Sequence, residues 1–302
     1  MFGYRSLDWA LVAIAEIDGA TAATRAEEVV RRAGTSFYWA MRFLPRPKRE
    51  AMFALYAFCR EVDDIADEPA PEADKLSRLN GWRRTLDQLF AGEAPSDPVA
   101  MSLVAPIARY QLPRAPFEEI LRGMETDATG PVRAPTMAEL EVYCSRVAGA
   151  VGLQSVRIFG CRDDHADAYA QSTGLALQLT NILRDLEEDA DDGRLYLPRE
   201  ALDAAGITTR DPAEVLVHPA LGRACAMVAE RAEQSYREAM RLREAMAPAD
   251  ARALKPAAIM TAVYRSLFDR MAARGWNRAT EPVAMGKAAK LGVALRCLLT
   301  GA

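Results

Sequence analysis

"FLPRPKREAMFALYAFCREVDDIADEP", residues 43–69, reads as one long helix delimited at both ends. Pro47 suits a first turn, where its missing N–H costs nothing, and Pro69 marks the stop. Met52, Leu55, Cys59, Val62 and Ala66 recur at three- and four-residue spacing and form an apolar stripe. One residue further on runs a second stripe of Tyr56, Arg60, Asp63 and Asp67. The acids therefore border the buried face instead of opposing it, which weakens the reading of a merely solvated acidic face. At about 1.5 Å per residue the helix would be roughly 30 Å long, enough to cross a domain.

The rest of the chain has the same texture. Alanine, leucine, arginine and glutamate dominate, strand signals are nearly absent, and Pro and Gly punctuate the sequence near 45–47, 69–71, 92–98, 113–116, 130–135, 193–198, 206–212 and 248. This predicts an all-α fold of eight to ten helices in a single domain over residues 1–302. Half of the 302 residues are hydrophobic, ample for a large core. The start, "MFGYRSLDWALVAIAEIDGA", has a short apolar run from Trp9 to Ala15 behind Asp8. It reads as a first helix or an N-terminal extension over residues 1–22 rather than as a signal peptide. Nowhere do about 18 apolar residues run together, so no membrane span is expected, and peripheral membrane contact is left open. A net charge of −4 gives no electrostatic case for nucleic acid. Five cysteines without C-x-x-C spacing, beside only two histidines, argue against a zinc site or disulfide framework. Reduced thiols and a cytoplasmic location, at most peripheral at the inner face of the membrane, are the simpler expectation.

A second acidic stripe lies in "GLALQLTNILRDLEEDADDGRLYLP", residues 174–198. Leu175, Leu179, Ile182 and Leu186 make its apolar face, and Gln178, Asn181, Asp185 and Asp189 the adjoining one. Each Asp-x-x-x-Asp places two carboxylates on one side of a helix, about one turn apart. Two such helices packed face to face would present four carboxylates to a shared cavity. Mg²⁺ takes oxygen ligands and usually binds through one or two carboxylates plus substrate phosphate oxygens. A diphosphate held by such ions and by arginines is a good leaving group, because the charge it gains is already compensated. One copy of the motif reads most simply as a surface pair; two copies, both beside a core stripe and both with an arginine, favour a metal and diphosphate site. The run "VAGAVG", residues 147–152, adds glycines inside a helix, each costing about 1 kcal/mol against alanine. Gly149 and Gly152 serve either close helix packing or room for a long apolar tail.

With these motifs quoted, "SFYWAMRFLPRPKREAMFALYAFCREVDDIADE" and "LALQLTNILRDLEEDADDGRLYLPRE" resemble the squalene/phytoene synthase family over about residues 25 to 275. The resemblance implies an isoprenoid-synthase helical bundle around a deep central cavity, joining two prenyl diphosphates head to head with Mg²⁺, or Mn²⁺ in its place. It implies Asp63, Asp64, Asp67, Asp185 and Asp189 as metal ligands; by helix geometry Asp64, about 100° round the helix, would serve from behind the direct ligands or through water. Arg60, Gln178, Asn181 and Arg184 would hold substrate, and Ser36 and Phe37 match the entry to a flap over the site. Tyr56, Tyr143, Tyr196 and Tyr264 match cavity tyrosines, whose π faces could stabilise a carbocation in a dry cavity.

Within the family, residues 123–160 are most similar to the bacterial branch that makes presqualene diphosphate on the route to hopanoids. The implied substrate is farnesyl diphosphate, two molecules per turnover, with downstream squalene-forming enzymes as partners. The reaction is expected to stop at presqualene diphosphate without NADPH, and no Gly-x-Gly-x-x-Gly fingerprint is present. The alternatives are phytoene, dehydrosqualene or squalene formation on the same fold. A head-to-tail elongator is disfavoured because the second motif is not Asp-Asp-x-x-Asp, and a non-catalytic helical scaffold because all four acids are retained. One departure stands near the end: Glu281 occupies the place of a further base in the family, with Arg278 and Lys287 nearby. No C-terminal diphosphate contact is therefore carried over.

Overall fold

A computed structural model describes residues 21–32, 41–42 and 44–300. Ser36 and Phe37 lie outside the described residues, as does nearly all of the 1–22 segment. The architecture is all-α. Residues 21–32 form helix α1. Then come α2 (Arg46–Asp67), α3 (Glu72–Ala91), α4 (Pro98–Tyr110), α5 (Arg114–Ala128), α6 (Met137–Cys144) and α7 (Ala150–Phe159). The second half carries α8 (Ala166–Arg184), α9 (Leu186–Asp191), α10 (Arg199–Ala204), α11 (Pro212–Leu216) and α12 (Leu221–Ala245), then α13 (Pro248–Ala253), α14 (Lys255–Arg274) and α15 (Lys287–Thr300). Among the described residues there is no strand, only an isolated parallel bridge between Arg133 and Leu195. Nor is any described helix long and apolar enough to cross a membrane.

The expected eight to ten helices undercount this set. α10, α11 and α13 start at or directly after Pro198, Pro212 and Pro248 and are too short to display a period. The sequence also reads residues 174–189 as one helix, whereas the structure breaks it at Asp185 (φ −101°, ψ 20°). The Asp189 N–H still donates to the Asp185 carbonyl at 2.8 Å, so the two acids keep their one-turn relation across the break.

The opening helix behaves as its stripes foretell. Met52, Leu55, Val62 and Ala66 are buried, Cys59 and Asp63 half-buried, and Arg60 and Asp67 exposed. Around α2 grows one apolar core, in which Phe58 meets Trp82 and Phe117 edge-on at 5.2 and 5.3 Å between ring centroids. A second core forms around the C-terminal half of α8, which packs along α12. There the Tyr236 hydroxyl lies 2.9 Å from that of Thr180, deep between the two helices.

α6 and α7 join through a π-helical turn, Ser145–Gly149. A wider turn shifts the angular phase of a helix, and such turns are frequent at functional sites. The glycines explain how this turn fits against α8. A Cβ on Gly174 would stand 2.7 Å from the Gly149 nitrogen, so two backbones touch where side chains would normally separate them. A Cβ on Gly152 would stand 3.0 Å from the Ala170 carbonyl oxygen, and Gly152 also lines an internal cavity. Gly149 thus serves packing, and Gly152 both packing and space.

Candidate active site

The site grows from the C-terminal end of α2 and the junction of α8 with α9. A polar recess of about 590 Å³ is lined by Arg60 and Asp63 from one side and by Gln178, Asn181, Arg184, Asp185 and Asp189 from the other. The two motif helices thus present their side chains to one shared space. Three of the four expected carboxylates line it. The fourth, Asp67, accepts a 2.7 Å hydrogen bond from Arg194 Nη2, a base of the recess that the sequence reading did not single out. Asp64 is paired with Arg60 at 2.6 Å, and Arg60 also donates to Asp63 at 3.1 Å. Arg184 grips its neighbour Asp185 with two nitrogens, at 2.6 and 2.5 Å. Each motif arginine is therefore held by acids of its own motif.

Electrostatics follow from crowding. Burial, then the nearby Asp67 charge, pushes the Asp63 carboxyl up to about 6. Burial and Asp185 push Asp189 up to about 7. Burial opposes the charge of Arg184, but its bonds to Asp185 leave the guanidinium raised and firmly ionised. Asp63 and Asp189 each stand near another carboxylate, Asp67 and Asp185 respectively, and a cation bound among them would relieve that repulsion. Asn181 adds an oxygen: its Oδ1 is buried with no hydrogen-bond partner. Carboxylates plus an orphaned amide oxygen suit a hard divalent ion. Among the described residues no three acidic, His or Cys side chains are close enough to hold one alone, so oxygens of substrate or water would complete its shell.

Local structure explains how the tyrosines arrive. A capping box between Thr136 and Glu139 starts α6, two turns before Tyr143. Gly193, in the left-handed region at φ 73°, ends α9 and turns the chain back on itself. The Leu195 N–H then donates to the Val132 carbonyl at 2.7 Å, and the Ala134 N–H to that of Leu195 at 2.8 Å. This clamp lays Tyr196 on Tyr143, with ring centroids 5.2 Å apart and planes 25° from parallel. Both hydroxyls donate to one carboxylate, Asp127 at the end of α5, at 3.0 and 2.9 Å. Burial raises the Asp127 carboxyl to about 6 against the pull of those two bonds. In "GMETDATG" nothing marked Asp127, which has no acid four residues before or after it.

Tyr56, Gln178, Asn181 and Tyr264 line the recess and also a second, apolar cavity of about 270 Å³. The polar and apolar spaces therefore adjoin through these four residues. At the C-terminal side Arg278 pairs with Glu281 at 3.4 Å and donates to the Arg274 carbonyl, whereas Lys290 of α15 lines the recess. The structure thus supplies a C-terminal base that the sequence comparison around Glu281 missed; its signal was a lysine three residues after Lys287.

A recess of carboxylates, amides and arginines opening onto an apolar cavity in an all-α bundle has a counterpart among known proteins. The sequence profile of squalene/phytoene synthase matches residues 30–288. The chain belongs to the squalene/phytoene synthase family. It is 42% identical to presqualene diphosphate synthase of Sinorhizobium fredii over 280 residues, 93% of this chain and 99% of that one. Its identity to the presqualene diphosphate synthase of Rhodopseudomonas palustris is 44% over 263 residues, 87% and 92% of the two chains. The fold is similar to the crystal structure of a dehydrosqualene synthase in complex with ligand, at a TM-score of 0.79 and 26% identity, covering 95% of this chain and all of that one. Membership of the squalene/phytoene synthase family makes the chain a prenyltransferase that acts on a prenyl diphosphate with a divalent metal.

Proposed function

We propose that the chain joins two farnesyl diphosphates head to head, giving presqualene diphosphate, diphosphate and a proton. The observation that carries this reading is the polar recess adjoining an apolar cavity through Tyr56, Gln178, Asn181 and Tyr264, with the diphosphate end and the hydrocarbon end each given its own chemistry. The similarity to presqualene diphosphate synthases over most of the chain supports the choice of product.

Asp63 and Asp67 on one side, and Asp185, Asp189 and Asn181 on the other, would hold Mg²⁺, with Asp64 acting through water. When bound, the metal supplies charge compensation to the departing diphosphate. Arg60, Arg184, Arg194 and Lys290 add fixed positive charge and orient the same group. The C1–O bond of the donor breaks with its electron pair leaving on diphosphate. The C2–C3 double bond of the second molecule attacks C1, and loss of a proton closes the cyclopropane. Tyr56, Tyr143 and Tyr264 surround the path with ring faces that favour a passing cation. Tyr143 and Tyr196 keep their hydroxyls fixed on Asp127, which turns the rings as a unit. The reaction ends without a nicotinamide, and its amphiphilic product suits hand-over at a membrane surface to a squalene-forming enzyme.

Incubation with farnesyl diphosphate and Mg²⁺, without NADPH, followed by mass spectrometry tests the reading. Presqualene diphosphate is the expected product. Phytoene from geranylgeranyl diphosphate, squalene only when NADPH is added, or no diphosphate release from either substrate would overturn it.

A further inference from the structure

The apolar cavity has two ends, and helix register says which residues stand at each. On α8, Gln178 and Asn181 line both the cavity and the recess, while Ala170 and Tyr169, further back along the helix, line the cavity alone. α7 packs beside α8 and is joined to it by the short connection 160–165, so the two run antiparallel. Ala148 accordingly belongs to the recess end of the cavity wall and Phe159, the last residue of α7, to the far end. α14 agrees: Tyr264 lines both spaces, and Pro256, about two turns away, lines only the cavity.

Phe159 and Tyr169 flank one short connection, which brings two aromatic rings to the same end. Phe159 is 4% exposed and Tyr169 3%, so buried rings stand at this end. From Asn181 to Tyr169 the cavity wall runs about 18 Å at about 1.5 Å per residue, and the rings occupy the last part of it. With carbon–carbon bonds of about 1.5 Å, an extended farnesyl chain spans about 14 Å and a geranylgeranyl chain about 19 Å. The shorter tail fits above the rings. The longer one meets a packed interior that yields only at a cost.

We propose that Tyr169, backed by Phe159, is the floor that limits the prenyl tail to fifteen carbons, an assignment that rests on the function proposed above. Nothing in that function requires the limit to lie at these two residues, so the two ideas can fail separately.

The test is calorimetric binding of farnesyl and geranylgeranyl thiodiphosphates, whose sulfur bridge resists ionisation, in the presence of Mg²⁺. The proteins are wild type, Tyr169→Ala, Tyr169→Phe and Phe159→Ala, each checked for native helicity. Wild type is expected to bind the fifteen-carbon compound about tenfold or more tightly than the twenty-carbon one, as one to two unfavourable methylene placements would produce. Tyr169→Ala should narrow the gap to about threefold or less, mostly by gaining affinity for the longer tail, while Tyr169→Phe keeps the ring and the gap. Phe159→Ala should narrow it in the same direction and carries the test alone should Tyr169→Ala not fold. The floor assignment falls with a wild type that shows no preference, with folded alanine variants that keep the full preference, or with Tyr169→Phe behaving as Tyr169→Ala does. Binding of neither compound by wild type would sink both this assignment and the proposed function. A wild type that prefers fifteen carbons yet makes no presqualene diphosphate from farnesyl diphosphate removes the function and leaves the floor standing.

Discussion

Asp127 accepts hydrogen bonds from both Tyr143 and Tyr196, and those two hydroxyls lie 3.3 Å from each other. Removing the charge should therefore disturb two rings at once. Asp127→Asn is expected to lower kcat/KM about tenfold to a hundredfold, the usual cost of losing a partner that orients a reacting side chain. Because the three residues act as a unit, Asp127→Asn and Tyr143→Phe should not add. A double-mutant cycle on kcat/KM should return a coupling of about 0.5–3 kcal/mol, and strict additivity would refute the shared anchor. Asp185 sits differently, gripped by Arg184 at the mouth of the recess. Asp185→Ala should cut turnover about a hundredfold or more while circular dichroism stays native, since it removes charge at the departing group rather than packing. A variant with near-normal diphosphate release would contradict that role.

At the scale of elements, the contact between the π-helical turn and α8 is the narrowest joint beside the cavity. Gly174→Ala would drive a methyl to 2.7 Å from the Gly149 nitrogen, and backbone cannot swing aside as a flexible side chain does. Separating the helices should cost about 1–3 kcal/mol, read as a fall in Tm. Since Gly174, Ala148 and Leu177 also line the apolar cavity, activity should decline at temperatures where the variant is still folded. Gly92→Ala makes a useful contrast. Gly92 ends α3 at φ 80° with nothing within 4 Å of its would-be Cβ, so the loss there comes from backbone strain alone and should leave activity untouched. The break at Asp185 also belongs to this scale. A strict four-residue stripe reads as unbroken helix, and only the backbone of the folded chain shows that the second acid of the motif stands on a new helix.

At the scale of the whole molecule, the recess ties stability to pH and metal. Asp63 and Asp189 are raised to about 6 and about 7 in the folded chain, from an ordinary carboxyl value of 3.8. Between those values the folded state keeps protons that the unfolded chain has released. Stability of the metal-free protein should therefore fall as pH rises from about 4 through about 7 and level off beyond. Glu125, held below its ordinary value by its hydrogen bond from Arg83, contributes in the opposite sense, on the acid side of that value. Mg²⁺ binds the deprotonated carboxylates, so it should raise Tm more at about pH 8 than at about pH 5.5. At about a hundred times its dissociation constant the gain is about 2.7 kcal/mol, a shift of several degrees. Equal metal-induced shifts at the two pH values, or a Tm flat across the window, would count against a metal site at these acids.

How much was legible beforehand depends on spacing. The all-α class, the limits of α2, its buried stripe and the acids beside that stripe follow from short-range periodicity, because a helix converts residue spacing into direction within one segment. Even the partnership of two motifs 122 positions apart could be inferred, since each carries its own local signature. Asp127, Arg194 and Lys290 have no such signature. Each is a single charge whose meaning arises when distant segments meet: Asp127 under two tyrosines from other elements, Arg194 across the recess on Asp67, Lys290 at the rim from the last helix. The same holds for the floor at Phe159 and Tyr169, ordinary core aromatics in sequence that become the end of a cavity only once α7 turns back along α8. By itself the sequence determined which faces are buried and which acids border them, because those are properties of one helix. Tertiary structure alone decided which charges share a space and how long that space is, because distance between segments is set by packing and not by any local period.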